Sequence, residues 1–179
     1  MGSNLDLSLF MPLKPNPYNP ETEFHIGIMS GTSMDGIDGI LASFESNGKP
    51  NLIAHVTHEF TPELRSALME LQSPGENELH REALAANALS IAYAKVVQEL
   101  IKKTGIPADK ISSIGANGQT IRHQPGLHDG LGYTKQTLNP SLLAELTNID
   151  VIADFRSRDI SANGQGAPLV PAFHAAQFG

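Results

Sequence analysis

Three short apolar runs crowd into residues 24–60, at 24–29, 37–44 and 52–60, and each is bounded by turn-forming residues. Runs of that length and spacing suit strands, not helices. Residues 45–51, "ESNGKPN", carry an Asn-Gly turn signal between the second run and the third. The chain therefore opens as a three-stranded meander. From residue 61 the period lengthens. "TPELRSALMEL" offers Thr61 as N-cap and Pro62 at the first helical position. After "SPGEN" the spacing predicts a long helix over 78–103, with Leu84, Ala88, Ile91, Ala92, Val96, Leu100 and Ile101 as its apolar stripe. Lys102 and Lys103 oppose the C-terminal dipole, and Gly105 ends the helix.

Residues 111–116 read as a short buried strand, followed by the polar break "NGQT". A loop rich in Gly and His spans 124–132, and a weak strand is expected over 133–138. "NPSLLAELTN" is a short helix capped by Asn139, and "IDVIADF", 149–155, is the clearest late strand. A last helix is expected from near Pro168. A meander followed by helix–strand alternation gives a mixed sheet with flanking helices, the plan of a ribonuclease-H-like domain. In open α/β sheets, ligands sit at the carboxyl ends of strands. The unusual polar segments "SGTSMDG", "NGQT" and "RSRD" all follow predicted strands.

Charge narrows the function classes. With 12 basic and 19 acidic residues the net charge is −7, which argues against a nucleic-acid binder resting on bulk positive charge. There is no cysteine, so disulfides and thiolate metal sites are excluded, in keeping with a cytoplasmic setting. Residues 1–22, rich in Pro and Asn, read as a flexible extension with no signal-peptide pattern, and residues 23–179 as one domain. No apolar run is long enough to span a bilayer, so no membrane partner is expected.

The first polar segment comprises Gly31, Thr32, Ser33, Met34, Asp35, Gly36, Ile37 and Asp38. Such a loop offers backbone N–H groups and two hydroxyls to phosphate oxygens, with Asp35 or Asp38 available to Mg²⁺. A glycine-rich hairpin with local side-chain bonds needs only one or two such residues. No Walker-type "GxxxxGK[ST]" occurs. "GTSMD" approaches the hydrolase elbow with Ser33 as nucleophile, but Asp35 takes the place of the final glycine and a strand follows where a helix is needed. Asn117, Gln119 and Thr120 suit sugar hydroxyls; a polar turn is the plain alternative. Arg156 and Arg158 would share one side if the late strand continued, with forks for carboxylate or phosphate. The alternative is surface pairing with Asp154 and Asp159. "NGQGAP" is either a close backbone approach to a ligand or an ordinary glycine loop. His55 and His58, three apart on a strand, face opposite sides, and no H-E-x-x-H is present.

Together, "MSGTSMDGID", "NGQTIRH", "NPSLLAELTNIDVIADFRSRDI" and "GQGAPLVPAFH" resemble the 1,6-anhydro-N-acetylmuramic acid kinases, a family of the acetate and sugar kinase, Hsp70 and actin superfamily. The resemblance covers residues 24–178. It implies one ribonuclease-H-like domain of a two-domain actin-like ATPase fold. It also implies an ATP- and Mg²⁺-dependent kinase that converts 1,6-anhydro-N-acetylmuramate and water to N-acetylmuramate 6-phosphate in cell-wall recycling. Gly31 to Asp38 would be the first phosphate-binding hairpin. Asn117, Gln119, Thr120, Arg156, Arg158, Asp159 and Gln165 would lie on the sugar side. The family's catalytic aspartate belongs to a downstream "D-x-G-P-x-N" type motif that this sequence lacks, so no catalytic residue is assigned here. The sequence thus reads as the N-terminal half, and the face that would meet the second domain favours a homodimer. It departs from the family at Asn117, where His is frequent, and at "QTLNP", where "QIGNP" is usual. Two other readings share the phosphate loop: a kinase for another anhydro sugar such as levoglucosan, and a non-catalytic nucleotide-binding module.

Overall fold

The computed structural model describes residues 22–45 and 48–178. The meander is built from β1 (Thr22–Ser30), β2 (Gly36–Glu45) and β3 (Pro50–Glu59), each antiparallel to the next. The extension read over 1–22 lies outside the described residues, apart from Thr22, which opens β1. Helices α1 (Pro62–Glu70) and α2 (Glu78–Thr104) follow. Thr61 caps α1 by accepting from the Leu64 amide at 3.3 Å, and α2 stops at Gly105, which takes a left-handed conformation with φ of 71°. A 3₁₀ turn at Ala108–Lys110 leads into β4 (Ile111–Asn117). Then come β5 (Gln119–Pro125), β6 (Gly132–Thr137), α3 (Pro140–Thr147), β7 (Val151–Ala153), α4 (Phe155–Ser161) and α5 (Val170–Phe178).

Five strands form one mixed sheet in the order β3-β2-β1-β4-β7, with β4 parallel to both β1 and β7. This is the ribonuclease-H-like plan expected from the sequence. Strand alternation sorts the sheet into two faces. Ile26, Ile28, Ile37, Leu41, Val56, Ile114 and Ala116 are buried in the core beneath α2. His25, Gly27, Ile40, Phe44, Gly115 and Ile152 line a shallow groove on the other face, with Phe173 of α5 at its edge. His55 and His58 do face opposite sides. His55 lies 3.2 Å from Asp38, and His58 lies 2.6 Å from Glu99 on α2.

Three expectations are corrected. The stripe of α2 is only partly the one read: Val96 and Leu100 are buried and Ala92 and Ile101 pack against the core, but Leu84, Ala88 and Ile91 are exposed, and Ala85, Leu89, Tyr93 and Val97 are buried in their place. In "AANALSIAYAKVV" apolar residues occur on every side, so periodicity alone does not choose the buried face. "NGQT" is not a four-residue break. Only Gly118 lies outside a strand, and β5 pairs antiparallel with β6 in a separate two-stranded ribbon. The late strand ends at Ala153, and Asp154 turns the chain at φ of 57° into α4. Arg156 and Arg158 therefore sit on a helix, where a separation of two puts them on different sides.

Candidate functional site

β1 and β4 are parallel neighbours, and their last registered pair is Met29 with Asn117. The hairpin 31–35 leaves one strand end and Gly118 leaves the other. Two of the polar segments singled out in the sequence are thus adjacent at the carboxyl edge of the sheet.

The hairpin is a tight turn closed by a hydrogen bond from the Met34 amide to the Gly31 carbonyl, 3.0 Å. Met34 adopts φ of 54°, unusual for a residue with a side chain, yet that side chain is buried with Ile28 and Ile37 in the core. Burying Met34 therefore pins the turn from below. Thr32, Ser33 and Asp35 are left exposed at the tip. Gly36 is needed because a β-carbon there would collide with the His58 carbonyl of β3. Ile37 points into the core, so Met34 and Ile37 can offer a ligand only their backbone.

Asp38 lies on the open face of β2. Its carboxylate accepts from the Thr57 hydroxyl at 2.7 Å and pairs with His55 at 3.2 Å. The Thr57 hydrogen bond is the main reason its carboxyl sits below the usual value; burial opposes this and His55 adds to it. Asp35 has no such engagement within the hairpin. Among the described residues no group of three or more His, Asp or Glu could hold a metal ion.

On the β4 side, Asn117 projects by alternation to the open face, and its carbonyl accepts from the Tyr93 hydroxyl at 2.8 Å. Gln119 is fully buried, with neither amide atom partnered. The Thr120 hydroxyl accepts from the Gln136 amide at 3.2 Å, and the same amide reaches Thr134 at 2.8 Å. That fixes Gln136 with its Oε1 buried and unpartnered. Gln136 belongs to a cleft of about 220 Å³ between β6 and α4, lined also by Gly118, Asp154 and Ser157. From the sequence, Gln136 stands out only within "QTLNP" and Asp154 only as an arginine partner, and Ser157 has no assigned role. The signal available was the alternation of Thr134 and Gln136 within β6.

The third segment divides. Arg156 donates to the Gly166 carbonyl at 2.8 Å, and Asp159 accepts from the Gly166 amide at 2.7 Å. Both side chains hold the glycine loop 162–168 against α4. Arg158 and Gln165 are exposed. No helix among the described residues is long and apolar enough to cross a membrane.

Comparison with known proteins bears on this arrangement. Residues 23–179 match the sequence pattern of the family described as anhydro-N-acetylmuramic acid kinase. A protein of that name from Cupriavidus metallidurans is 56% identical over 164 residues, covering 91% of this chain and 43% of the relative. One from Ralstonia nicotianae is 59% identical over 157 residues, covering 88% and 41%, and one from Variovorax paradoxus is 57% identical over 156 residues, covering 87% and 41%. The chain therefore spans about two-fifths of the length of the curated relatives it matches, corresponding to their N-terminal portion. A match over nearly all described residues, at more than half identity, settles the relationship: this chain belongs to the anhydro-N-acetylmuramic acid kinase family.

Proposed function

We propose that this chain forms the phosphate-holding half of a cytoplasmic kinase. The kinase consumes 1,6-anhydro-N-acetylmuramate, ATP and water, and yields N-acetylmuramate 6-phosphate and ADP in cell-wall recycling. The observation that carries the reading is the hairpin. A core-anchored turn presents backbone amides and two free hydroxyls at the end of β1, beside the polar end of β4. Phosphoryl transfer is mostly positioning and charge stabilisation, and a rigid turn of N–H donors meets that need.

Each residue has a part in this reading. The amides of Gly31, Thr32, Ser33 and Asp35 and the hydroxyls of Thr32 and Ser33 hold phosphate oxygens, while the Met34 amide closes the turn on the Gly31 carbonyl. Asn117, Thr120 and Gln136 face the sugar's hydroxyl and amide groups. Gln119, sealed in the core, shapes the strand end rather than touching the sugar. Arg156 and Asp159 fix the glycine loop, and exposed Arg158 meets the lactyl carboxylate. The residues suit Mg²⁺ held largely by phosphate oxygens and water, with Asp35 as the hairpin's open carboxylate; Asp38 is already engaged. When bound, the metal supplies neutralisation of phosphate charge. The base that activates water lies in the remaining length of the family's proteins, so this chain binds and orients.

The test joins this chain to the matching remainder of the Cupriavidus metallidurans relative and assays sugars with and without the lactyl group. The expected result is phosphorylation of 1,6-anhydro-N-acetylmuramate in clear preference to levoglucosan. Arg158→Ala should raise KM for the lactyl sugar by about tenfold, the effect of losing one charge-assisted hydrogen bond. Equal turnover of both sugars would favour the other-anhydro-sugar reading. Labelling of Ser33 by a fluorophosphonate would revive the hydrolase.

A further inference from the structure

Tyr93 on α2 is fully buried, yet its hydroxyl stands between the ends of two strands. It lies 2.8 Å from the Asn117 carbonyl of β4 and 3.1 Å from the Ser30 hydroxyl of β1. A phenol has one proton. The carbonyl can only accept, so the phenol donates to Asn117, and Ser30 donates to the phenol oxygen. Ser30 itself is 3% exposed. The bridge sits just where registered pairing of β1 with β4 ends, at Met29 and Asn117. Past that point β1 becomes the hairpin and β4 becomes Gly118 and β5. The core position needs only an aromatic ring. Burying a hydroxyl there costs desolvation, which its two hydrogen bonds offset.

We infer that Tyr93 is a positioning residue: through Ser30 and the Asn117 carbonyl, its hydroxyl fixes the phosphate hairpin relative to the polar strand end 117–120. The inference rests on the phosphate reading of the hairpin and adds what sets the span between the phosphate and sugar sides. Tyr93 touches neither ligand in this scheme.

Amide hydrogen exchange on this chain tests it without requiring catalysis. Tyr93→Phe, Ser30→Ala and the double variant are compared with the parent. Each single variant should speed exchange about five- to tenfold in peptides covering 31–36 and 117–121, leaving β2, β3 and α2 unchanged. The double variant should add nothing beyond Tyr93→Phe, because that change already removes both hydrogen bonds of the bridge. Faster exchange throughout the sheet, additive effects, or no local change would overturn the inference. Ser30→Ala leaves the core ring in place and carries the test if Tyr93→Phe folds poorly. Kinase failure of the joined protein with this exchange pattern intact would remove the functional reading alone.

Discussion

The fold commits the side chains of both Met34 and Asp38: Met34 is buried in the core, and Asp38 is held by Thr57 and His55. Alternation from Ile37 was enough to put Asp38 on the open face. Its partners depend on the β2–β3 register, which pairs Asp38 with Thr57, and register is a tertiary property. Gly36, by contrast, was legible as a turn residue, although the close approach of His58 that requires it was not. Gly36→Ala should lower stability by about 1–3 kcal/mol through overpacking, measured as a shift in urea midpoint.

Tyr93 gives a residue-scale pH signature. Burial pushes its phenol well above the usual value of 10.0, with the Ser30 bond partly opposing. The unfolded phenol ionises first, so the stabilising contribution is full below pH 10.0 and falls as pH rises through the folded value. Stability of the parent chain should therefore drop more steeply above pH 10 than that of Tyr93→Phe. Parallel alkaline profiles from equilibrium unfolding would contradict the buried, neutral phenol.

At the scale of elements, the meander, both long-helix limits and the capped α3 were legible because local chemistry fixes them: Thr61, Gly105 and Asn139 do what their positions suggest. The β5–β6 ribbon and α4 were not. β5 alternates polar with few apolar residues and draws its stability from Arg122, whose guanidinium donates to the Leu71 and Ile121 carbonyls and pairs with Glu78 at 2.7 Å. Leu71 and Glu78 are distant in sequence. Arg122→Ala should loosen this ribbon, which Lys135 and Thr137 still tie to Glu82 of α2, costing about 2–3 kcal/mol because a largely buried charged partnership is broken. Limited proteolysis should then cut within 126–131 first. The helix α4 begins where Asp154 takes a left-handed turn, which "IDVIADF" does not announce. Asp159→Ala should expose the loop 162–168 to protease while leaving the sheet's exchange unchanged, since its carboxylate holds the Gly166 amide.

At the scale of the molecule, the sheet has one face packed under α2 and one face carrying exposed Ile40 and Ile152, 41% and 51% accessible. Contiguous apolar surface of this kind favours association. Sedimentation velocity should show concentration-dependent dimerisation of the chain; a monomer at every concentration would remove the homodimer reading. Fold class and family were legible at this scale because long literal motifs survive intact. The pairing of the hairpin with the end of β4 came from the sheet order, which no local pattern carries.

The hairpin's central role is to receive phosphate. The measurement that bears on it most directly is a titration of the ¹⁵N-labelled chain with millimolar Mg·ATP, followed residue by residue. The expected result is amide shifts concentrated at Gly31 to Gly36, with smaller ones at Asn117 to Thr120. Shifts confined to the open sheet face around Phe44 and Ile152, or none at the hairpin, would contradict it.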